Sequence, residues 1–492
     1  MKQEVSETCT QEQEEYGGIS MIQFGTGGWR AVIGDGFTKQ NIQILARALC
    51  GKMKDEGVAE RGIVMGYDRR FLSKEAMQWA ACVFAAQGVR SYLINKSCPT
   101  PLVMYYVEKR GFSYGMMITA SHNPAIYNGI KVFTAGGRDA DEIQTGQIEE
   151  YAAGVELPVK ELEYDSAKEQ GLIREIYPLN EYLDDLMGTI NMEVIRDSAL
   201  RVVLDPMYGV SETSLRTILQ TARCEVEVIH DRHDTLFGGR LPAPSAATLR
   251  MLQTCVTDGH YDIGIATDGD ADRLGIIDDT GRFLHPNEIL VLLYYYLKKY
   301  KNWHGPAVRN ICTTHVLDRV AEAFGEKCYE VPVGFKYISA KMNETDAVIG
   351  GESSGGLTVR GHIKGKDGIY AAMLLVEMIA VSGKKLSRIV ADVEEEYGLI
   401  DMEERDYRFN QEKKQEIRQI LLEEKKLPEL PFEIDRVSYL DGSKVYFTNG
   451  GWVIARFSGT EPLLRIFCEM PKSRDAANIC EIYERFLGLR KY

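Results

Sequence analysis

Short apolar runs rich in Val, Ile and Met alternate along the chain with longer amphipathic stretches. This alternation is typical of β–α units around a parallel sheet. The predicted strands are Gly62–Met65, Tyr114–Thr119, Leu200–Leu204, Ile263–Ala266 and Ala347–Ile349. Helices are predicted between them, among others over Ser73–Gln87, Ile289–Leu297 and Tyr370–Val381. The pattern therefore predicts an α/β fold.

Breaks in this pattern divide the 492 residues into four parts. A single core stops growing at roughly 250–300 residues, so one undivided domain is not expected. Charged or Gly-Pro-containing connectors lie near residues 155–173, 298–306 and 397–404. After residue 405, two strand-like runs and a terminal helix indicate a smaller α+β domain. We therefore predict domains over residues 1–172, 173–300, 301–400 and 401–492.

Composition and charge narrow the class of protein. With 45% hydrophobic and 26% charged residues, the chain is neither disordered nor collagen-like. Its formal net charge of −14 repels polyanions, so we expect no nucleic-acid partner. No long apolar run predicts a membrane span, the polar segment Met1–Tyr16 is unlike a signal peptide, and the ten cysteines lack C-x-x-C spacing. We therefore expect a cytoplasmic enzyme, and its oligomeric state could be a monomer or a homodimer.

Three predicted strands end in polar, Gly-rich loops. Their sequences are Thr-Ala-Ser-His-Asn-Pro from Thr119, Thr-Asp-Gly-Asp-Ala-Asp-Arg from Thr267, and Gly-Gly-Glu-Ser-Ser-Gly-Gly from Gly350. Open α/β sheets bind ligands at the carboxyl ends of their strands. We therefore expect the three loops to face one cleft.

The first loop carries a candidate nucleophile, Ser121. The following Asn-Pro predicts a sharp turn with an exposed hydroxyl. A hydroxyl is a poor nucleophile unless a base or a cation activates it; His122 is adjacent, and Lys131 returns to the same site if Asn128-Gly129 forms a turn. The alternative is that Ser121 caps a helix and His122 makes an ordinary loop hydrogen bond.

The second loop carries three carboxylates, Asp268, Asp270 and Asp272, followed by Arg273. Carboxylates this close repel one another unless a cation binds, and hard oxygen ligands select Mg²⁺ or Ca²⁺. The EF-hand pattern does not match, so Mg²⁺ with a phosphate completing its shell fits better, and Arg273 fits an anionic phosphate partner. The alternative is a solvated acidic turn.

Two further segments predict contacts with a phosphorylated sugar. In the third loop, Glu352 and Ser354 are suited to vicinal sugar hydroxyls, with a flexible polar loop as the alternative. Nearby, Lys336 and the segment His362–Lys366 could supply cations to the same cleft. Near the C-terminus, hydroxyls and arginines around a glycine predict a phosphate cradle, with surface arginines as the alternative. Its residues are Arg456, Ser458, Gly459, Thr460 and Arg465.

Near the N-terminus, the Gly-rich run Phe24–Arg30 lacks dinucleotide-binding spacing, and Arg30 is either a phosphate contact or part of a structural ion pair. Taken together, the motifs predict phosphoryl transfer. Ser121 would carry the phosphoryl group, the aspartates would hold the metal, and Lys131, with a depressed pKa, would transfer the proton.

On these motifs the chain resembles the α-D-phosphohexomutase superfamily, which includes phosphoglucomutases and phosphomannomutases. The motifs occur in the family's order between Phe24 and Phe467. The resemblance implies four domains around a central cleft. Three would be related α/β domains with mixed or parallel sheets, and the fourth a smaller α+β domain like the TATA-binding protein.

The resemblance also implies roles for the motif residues. Ser121 would be a phosphoserine whose phosphate, with the three aspartates, holds Mg²⁺. Lys131 would be the general acid/base with Arg273 as its companion, and Lys336 would approach the substrate. Glu352 and Ser354 would bind the sugar, and the C-terminal cradle the distal phosphate. The implied cofactors are Mg²⁺ and glucose 1,6-bisphosphate, the latter as activator and intermediate.

The substrate implied is a hexose phosphate. Many mannose- and glucosamine-phosphate enzymes of the family have His where Gly356 stands, so we predict interconversion of glucose 1-phosphate and glucose 6-phosphate. Mannose phosphates, or dual specificity, stay open because the two sugars differ only at C2. Departures from the family at Gly27 and Ala31 leave the role of Arg30 open. Two other classes remain as alternatives, a Mg²⁺-dependent sugar-phosphate phosphohydrolase and a non-catalytic sugar-phosphate-binding protein.

Overall fold

Four β-sheets follow one another along the chain, and helices cover each of them. The computed structural model describes residues 22–25, 27–399, 401–458 and 463–489. None of the helices in this part of the chain is long and apolar enough to cross a bilayer.

The first sheet has seven strands in the order β1-β5-β4-β2-β3-β7, with β6 paired to β5. β2, β3, β4 and β7 run parallel, whereas β5 is antiparallel to both β4 and β1. The strands are β1 Trp29–Val32, β2 Ile63–Tyr67, β3 Ser91–Ile94, β4 Tyr114–Ile118, β5 Tyr127–Thr134, β6 Arg138–Asp139 and β7 Ile173–Ile176. The helices are α1 Lys39–Asp55, α2 Ser73–Ala86, α3 Thr100–Arg110, α4 Glu142–Ala153 and α5 Tyr164–Glu169, with a 3₁₀ turn at Ala59–Arg61.

The second sheet has five strands in the order β12-β11-β10-β8-β9. They are β8 Arg201–Asp205, β9 Glu225–Val228, β10 Ile263–Thr267, β11 Leu274–Asp278 and β12 Phe283–Leu284. The accompanying helices are α6 Leu179–Thr189, α7 Met192–Ser198, α8 Glu212–Thr221 and α9 Arg250–Gly259, with a 3₁₀ turn at Phe237–Gly239.

The third sheet has four strands in the order β14-β13-β15-β16. They are β13 Ala307–Asn310, β14 Cys328–Val331, β15 Ile349–Gly351 and β16 Leu357–Val359. Its helices are α10 Pro286–Lys299, α11 Val316–Ala323, α12 Phe335–Thr345, α13 Gly368–Ser382 and α14 Leu386–Tyr397.

The fourth sheet is antiparallel throughout, with five strands in the order β17-β21-β20-β19-β18. Its strands are β17 Met402–Arg408, β18 Ile434–Ser438, β19 Ser443–Phe447, β20 Trp452–Phe457 and β21 Leu463–Glu469. Its helices are α15 Gln411–Arg418, a π-helical turn at Gln419–Glu423, and α16 Ser473–Phe486. The predicted fold class, three α/β units followed by a smaller α+β unit, is confirmed.

Each of the three predicted loops joins two antiparallel neighbours, β4 to β5, β10 to β11, and β15 to β16. The Asn128-Gly129 turn predicted from the sequence is wrong, because both residues lie inside β5. Gly129 instead lets β1 approach, since a Cβ there would lie 2.2 Å from the Trp29 carbonyl oxygen. Each hairpin therefore brings the residues after its loop back alongside the strand before it.

Two elements lie beside the predicted domain boundaries. β7 pairs with β3, so the first sheet includes Ile173–Ile176, which the boundary at residue 172 assigns to the second domain. α10 packs against α11, α13 and α14, whereas the boundary at residue 300 assigns it to the second domain. The three boundaries themselves stay predictions.

The cores show which units pack together. One hydrophobic cluster runs through all three α/β units and includes Leu102 on α3, Leu204 on β8 and Leu374 on α13. The fourth unit has a core of its own between its sheet and α16. The packing therefore joins the first three units more closely to one another than to the fourth.

The fourth unit docks on the third through a small apolar cluster and a buried lysine. Trp452 and Ile454 on β20 meet Ile311, which follows β13. Lys444 on β19 is fully buried beside them, and its Nζ donates to the Ile311 carbonyl and to Glu330 Oε2, both at 2.7 Å. Burial, together with the nearby positive charge of Arg309, lowers the pKa of Lys444 to about 8.

Candidate active site

The serine loop and the aspartate loop meet although they lie far apart in the sequence. Ser121 Oγ donates a hydrogen bond to Asp268 Oδ2 at 2.7 Å, across 147 residues of chain. Gly269 permits this approach, because a Cβ there would lie 2.8 Å from the Ser121 carbonyl oxygen. The two loops therefore pack backbone against backbone.

Ser121 lies in the predicted tight turn, with a positive φ of 51°, and does not cap a helix. The prediction of an exposed hydroxyl is wrong, since Ser121 is only 1% exposed. The aspartate loop of the second sheet packs over the turn and buries Ser121. The sequence of the turn itself cannot show that a loop from another domain lies over it. His122 Nδ1 lies 3.3 Å from Ser121 Oγ.

Arg70, which the sequence analysis did not predict, holds the serine loop, the turn after β4 that carries Ser121. Its guanidinium is buried and donates to four backbone carbonyls of the turn, at distances of 2.6 to 3.0 Å. The accepting carbonyls belong to Ser121, Asn123, Pro124 and Tyr127. One planar five-donor side chain therefore fixes the whole turn.

Asp68 in turn holds Arg70. Its Oδ2 lies 3.3 Å from Arg70 Nε and accepts from Thr119 Oγ1, while its Oδ1 accepts from Ser73 Oγ. Burial raises the pKa of Asp68, whereas Arg70 and the hydrogen bonds favour its charged form. A signal was available in the sequence, because Asp68-Arg69-Arg70 follows the predicted strand Gly62–Met65 after two intervening residues.

The three predicted metal ligands come together as a buried cluster. Asp268, Asp270 and Asp272 are 0–1% exposed, and one ligand oxygen from each lies within 4.8 Å of the others. Lys131 Nζ donates to Asp270 Oδ2 at 2.6 Å and to Asp272 Oδ2 at 2.7 Å. The hairpin β4–β5 thus brings Lys131 to the aspartate loop, without the turn at Asn128-Gly129 that the sequence suggested.

The cluster offers oxygen ligands to a hard cation. Asp270 Oδ1 and Asp272 Oδ1 are buried and accept no hydrogen bond from the described residues. Burial and the two neighbouring carboxylates raise the pKa of Asp268 well above its ordinary value. Buried, unpartnered and mutually repelling oxygens are the donor set that Mg²⁺ prefers, so these residues fit the predicted metal.

The proton state of Lys131 differs from the sequence prediction. Burial alone would lower its pKa, but Asp270 and Asp272 outweigh burial and raise it. The predicted depressed pKa is therefore wrong for this arrangement. Burial and the charges of Arg273 and Arg30 hold the pKa of His122 well below its ordinary value, so that His122 is neutral.

Two arginines flank the serine loop. Arg30 Nη1 donates to Asn123 Oδ1 at 2.5 Å and its Nη2 to the Gly27 carbonyl at 3.4 Å, so Arg30 makes neutral contacts and not the alternative ion pair among the described residues. Burial, followed by the charge of Arg273, lowers the pKa of Arg30 to about 10. Arg273 Nε lies 3.9 Å from Asp272 Oδ1. Two neighbouring guanidiniums favour an anion between or beside them.

The two candidate sugar-binding residues of the third loop differ in exposure. Glu352 is buried; its Oε1 accepts from the Gly334 N–H at 3.1 Å, and its Oε2 accepts from Ser354 Oγ at 3.3 Å. Ser354 itself is exposed. The loop therefore presents one held carboxylate and one accessible hydroxyl.

Lys336 lines the same cleft as Lys131. Its Nζ donates to Glu142 Oε1 at 2.8 Å, from α12 of the third unit to α4 of the first. A cavity of about 200 Å³ lies between the first and third units, and its lining residues include Lys131, Asp139, Glu142 and Lys336.

Gly356 makes room for a second lysine at the aspartates. A Cβ at position 356 would lie 2.1 Å from Lys366 Cδ, so Lys366 passes directly over this glycine. Its Nζ lies 3.0 Å from Asp272 Oδ2. Lys366 of the segment His362–Lys366 thus places a cation beside the aspartates.

The C-terminal arginines share one face of the fourth sheet. Arg456 and Arg465 are directly paired across β20 and β21. Arg456 Nε donates to Asp441 Oδ2 at 2.8 Å, and the same oxygen accepts from the Val333 N–H of the third unit at 2.9 Å. Asp441, absent from the sequence prediction, therefore ties the cradle to the segment that carries Lys336.

Of the remaining cradle residues, Ser458 is among the described ones. Ser458 N–H donates to the Leu463 carbonyl at 2.8 Å. Gly459 and Thr460 lie outside the described residues. The role of the cradle in phosphate binding stays a prediction.

Comparison with known proteins matches all four parts of the chain. The alpha/beta/alpha domains I, II and III of phosphoglucomutase/phosphomannomutase match residues 21–157, 180–281 and 285–397, and the C-terminal domain matches residues 411–484.

Full-length relatives agree with the domain matches. A phosphoglucomutase/phosphomannomutase of Thermococcus kodakarensis is 29% identical over 93% of this chain and 97% of its own length. A probable phosphoglucosamine mutase of Methanobrevibacter smithii is 30% identical over 93% and 96%. A crystal structure from Thermus thermophilus, assigned to the phosphomannomutases, is 28% identical, covers 95% of this chain and 99% of its own, and has a TM-score of 0.82.

Proposed function

The chain belongs to the phosphoglucomutase/phosphomannomutase family, and on that premise we propose that it interconverts the 1- and 6-phosphates of a hexose through a phosphoserine at position 121. The observation that carries the proposal is the contact of Ser121 with Asp268. It puts a hydroxyl within hydrogen-bond distance of a buried triad, two of whose oxygens accept no hydrogen bond from the part of the chain that the structure describes.

The first half-reaction forms a bisphosphate. The 6-hydroxyl of a hexose 1-phosphate attacks the phosphorus on Ser121, the P–Oγ bond breaks and a P–O6 bond forms. The hydroxyl loses its proton and Ser121 Oγ gains one, so protons balance. The bisphosphate then turns over and returns its 1-phosphate to Ser121, which releases the hexose 6-phosphate.

The chain supplies a group for each step. Asp268, Asp270 and Asp272, with the Ser121 phosphate, would hold Mg²⁺, which when bound neutralises charge on the transferred oxygens. Lys131 assists proton transfer, and it acts as a base only after it leaves Asp270 and Asp272, because these carboxylates raise its pKa.

Two arginine pairs would hold the two phosphates. Arg30 and Arg273 flank the phosphate at Ser121, and Arg456 and Arg465 hold the distal one. This separation supports a mutase over a phosphohydrolase, since hydrolysis needs no second phosphate site.

The substrate that we propose is glucose 1-phosphate, in exchange with glucose 6-phosphate. The support is Gly356, over which Lys366 passes where a larger side chain would collide with it. Mannose phosphates are the second candidate, because contacts of Glu352 and Ser354 to ring hydroxyls do not distinguish sugars that differ at C2. Glucosamine phosphates should be tested as well, because the relative from Methanobrevibacter smithii is named a probable phosphoglucosamine mutase.

The test supplies glucose 1-phosphate, Mg²⁺ and a catalytic amount of glucose 1,6-bisphosphate. We expect glucose 6-phosphate from the natural protein and none from Ser121→Ala, and rates on mannose and glucosamine 1-phosphates set the preference. Intact-mass analysis should find one phosphoryl group that Ser121→Ala lacks. Inorganic phosphate released without a hexose 6-phosphate would identify a phosphohydrolase instead, and an unphosphorylated, inactive protein would identify a binding protein.

A further inference from the structure

Asp139 lies on the wall of the cleft, in a short strand of the first sheet. It is in β6 and is paired with Phe133 of β5, two residues beyond Lys131. Paired residues of an antiparallel ladder share a face, as do residues i and i+2 of one strand, so Asp139 and Lys131 lie on one face of the first sheet. Both line the cavity of about 200 Å³ between the first and third units.

Asp139 differs from the other charged residues of this cavity. Lys131 is bound to Asp270 and Asp272, and Glu142 and Lys336 are bound to each other. Asp139, by contrast, makes no hydrogen bond or ion pair with any described residue. It is half-buried, and burial raises its pKa, whereas Lys366 and Lys131 act in the opposite direction.

The sign of the charge indicates which part of a ligand meets Asp139. A carboxylate repels a phosphate, and the arginines at the serine loop and at the C-terminal cradle provide the anion sites. A half-buried carboxylate without protein donors can accept hydrogen bonds from the hydroxyl groups of a ligand, which then replace its remaining water. The part of a sugar phosphate that suits Asp139 is therefore its neutral, hydroxyl-bearing ring.

We propose that Asp139 binds a ring hydroxyl of the hexose phosphate from the first unit, while Glu352 binds the ring from the third. The inference rests on the proposed function for the nature of the ligand. It adds a substrate-binding residue that lies outside the four loops and their motifs.

Binding measurements test this without turnover. Glucose 1-phosphate is titrated by calorimetry into Ser121→Ala protein, alone and combined with Asp139→Ala or Asp139→Asn. We expect Asp139→Ala to weaken binding about 10- to 100-fold, as for loss of a hydrogen bond to a charged group, and Asp139→Asn to weaken it less because the amide keeps an acceptor. The matched control is Glu150→Gln on α4, an exposed carboxylate, which should leave binding unchanged.

Deoxy analogues identify the contact. The 2-, 3- and 4-deoxy derivatives of glucose 1-phosphate are titrated into the same variants. For one analogue, the one that lacks the contacted hydroxyl, Asp139→Ala should cost less than about 2-fold. An equal loss for all three analogues would overturn the proposal and assign Asp139 to positioning Lys131.

Unchanged binding of glucose 1-phosphate by Asp139→Ala would also overturn it. The mutase assay on the natural protein decides the proposed function separately. A protein that binds with the expected analogue pattern but does not isomerise hexose phosphates would refute the function and keep the role of Asp139.

Discussion

Replacing Arg70 by Lys should loosen the serine loop while the positive charge stays. Arg70 donates to four carbonyls of the turn, and a lysine has its three donors on one nitrogen that cannot span them. With three donors for four carbonyls, at least one carbonyl of the turn would lose its donor. At about 1–3 kcal/mol for an unsatisfied group, the free energy of unfolding should fall by about 1–3 kcal/mol.

The activity should fall as well, because Ser121 is part of the turn that Arg70 holds. A displacement of the reacting group by about 1 Å costs about 100-fold in rate, so we expect a loss of that order in mutase kcat. The matched control is Arg69→Lys, since the Arg69 side chain makes one hydrogen bond with the described residues, to the Asp231 carbonyl at 2.8 Å. That variant should lose less than about 1 kcal/mol.

Three measurements check the reasoning: chemical unfolding followed by circular dichroism, mutase rate, and amide hydrogen exchange across residues 119–127. Arg70→Lys should unfold earlier, turn over more slowly and exchange faster in that segment. If it matched Arg69→Lys in all three, the view that Arg70 holds the catalytic turn would be refuted.

Three further outcomes are expected. Asp268→Asn should melt no lower than the natural protein without metal, because it removes one of three repelling carboxylates, and it should lose the rise in melting temperature with Mg²⁺; a retained rise would argue against the metal site. Asp441→Asn should raise KM more than it lowers kcat, since Asp441 orients Arg456; a purely kcat effect would contradict this. Because the pKa of Lys444 is depressed in the folded protein, the unfolded state binds the Lys444 proton more tightly. The free energy of unfolding should therefore increase between pH about 8 and 10.5, by up to ~3 kcal/mol, and Lys444→Met should lack this increase. Equal pH profiles of the two proteins would rule out a depressed pKa of Lys444.

The local sequence was enough to identify the candidate nucleophile and the candidate metal ligands. Ser121 between a strand and Asn-Pro, and three aspartates at alternate positions after a strand, identify their loops because strand pattern and turn chemistry act over a few residues. The fold class follows from the same periodicity. The hairpins after the loops were not predicted, since β5 contains Asn128 and Gly129, which alone favour a turn.

Which groups touch was decided by the tertiary structure. Ser121 meets Asp268 across 147 residues, and Lys366 reaches Asp272 over Gly356, because the sheets pack so that their loops converge. The raised pKa of Lys131 follows from the same convergence, since the pKa depends on charges that other units bring near. Periodicity determines which face of an element is buried, but only the packing of the domains determines what that face meets, and so it was the packing that covered Ser121 and left Asp139 without a partner among the described residues.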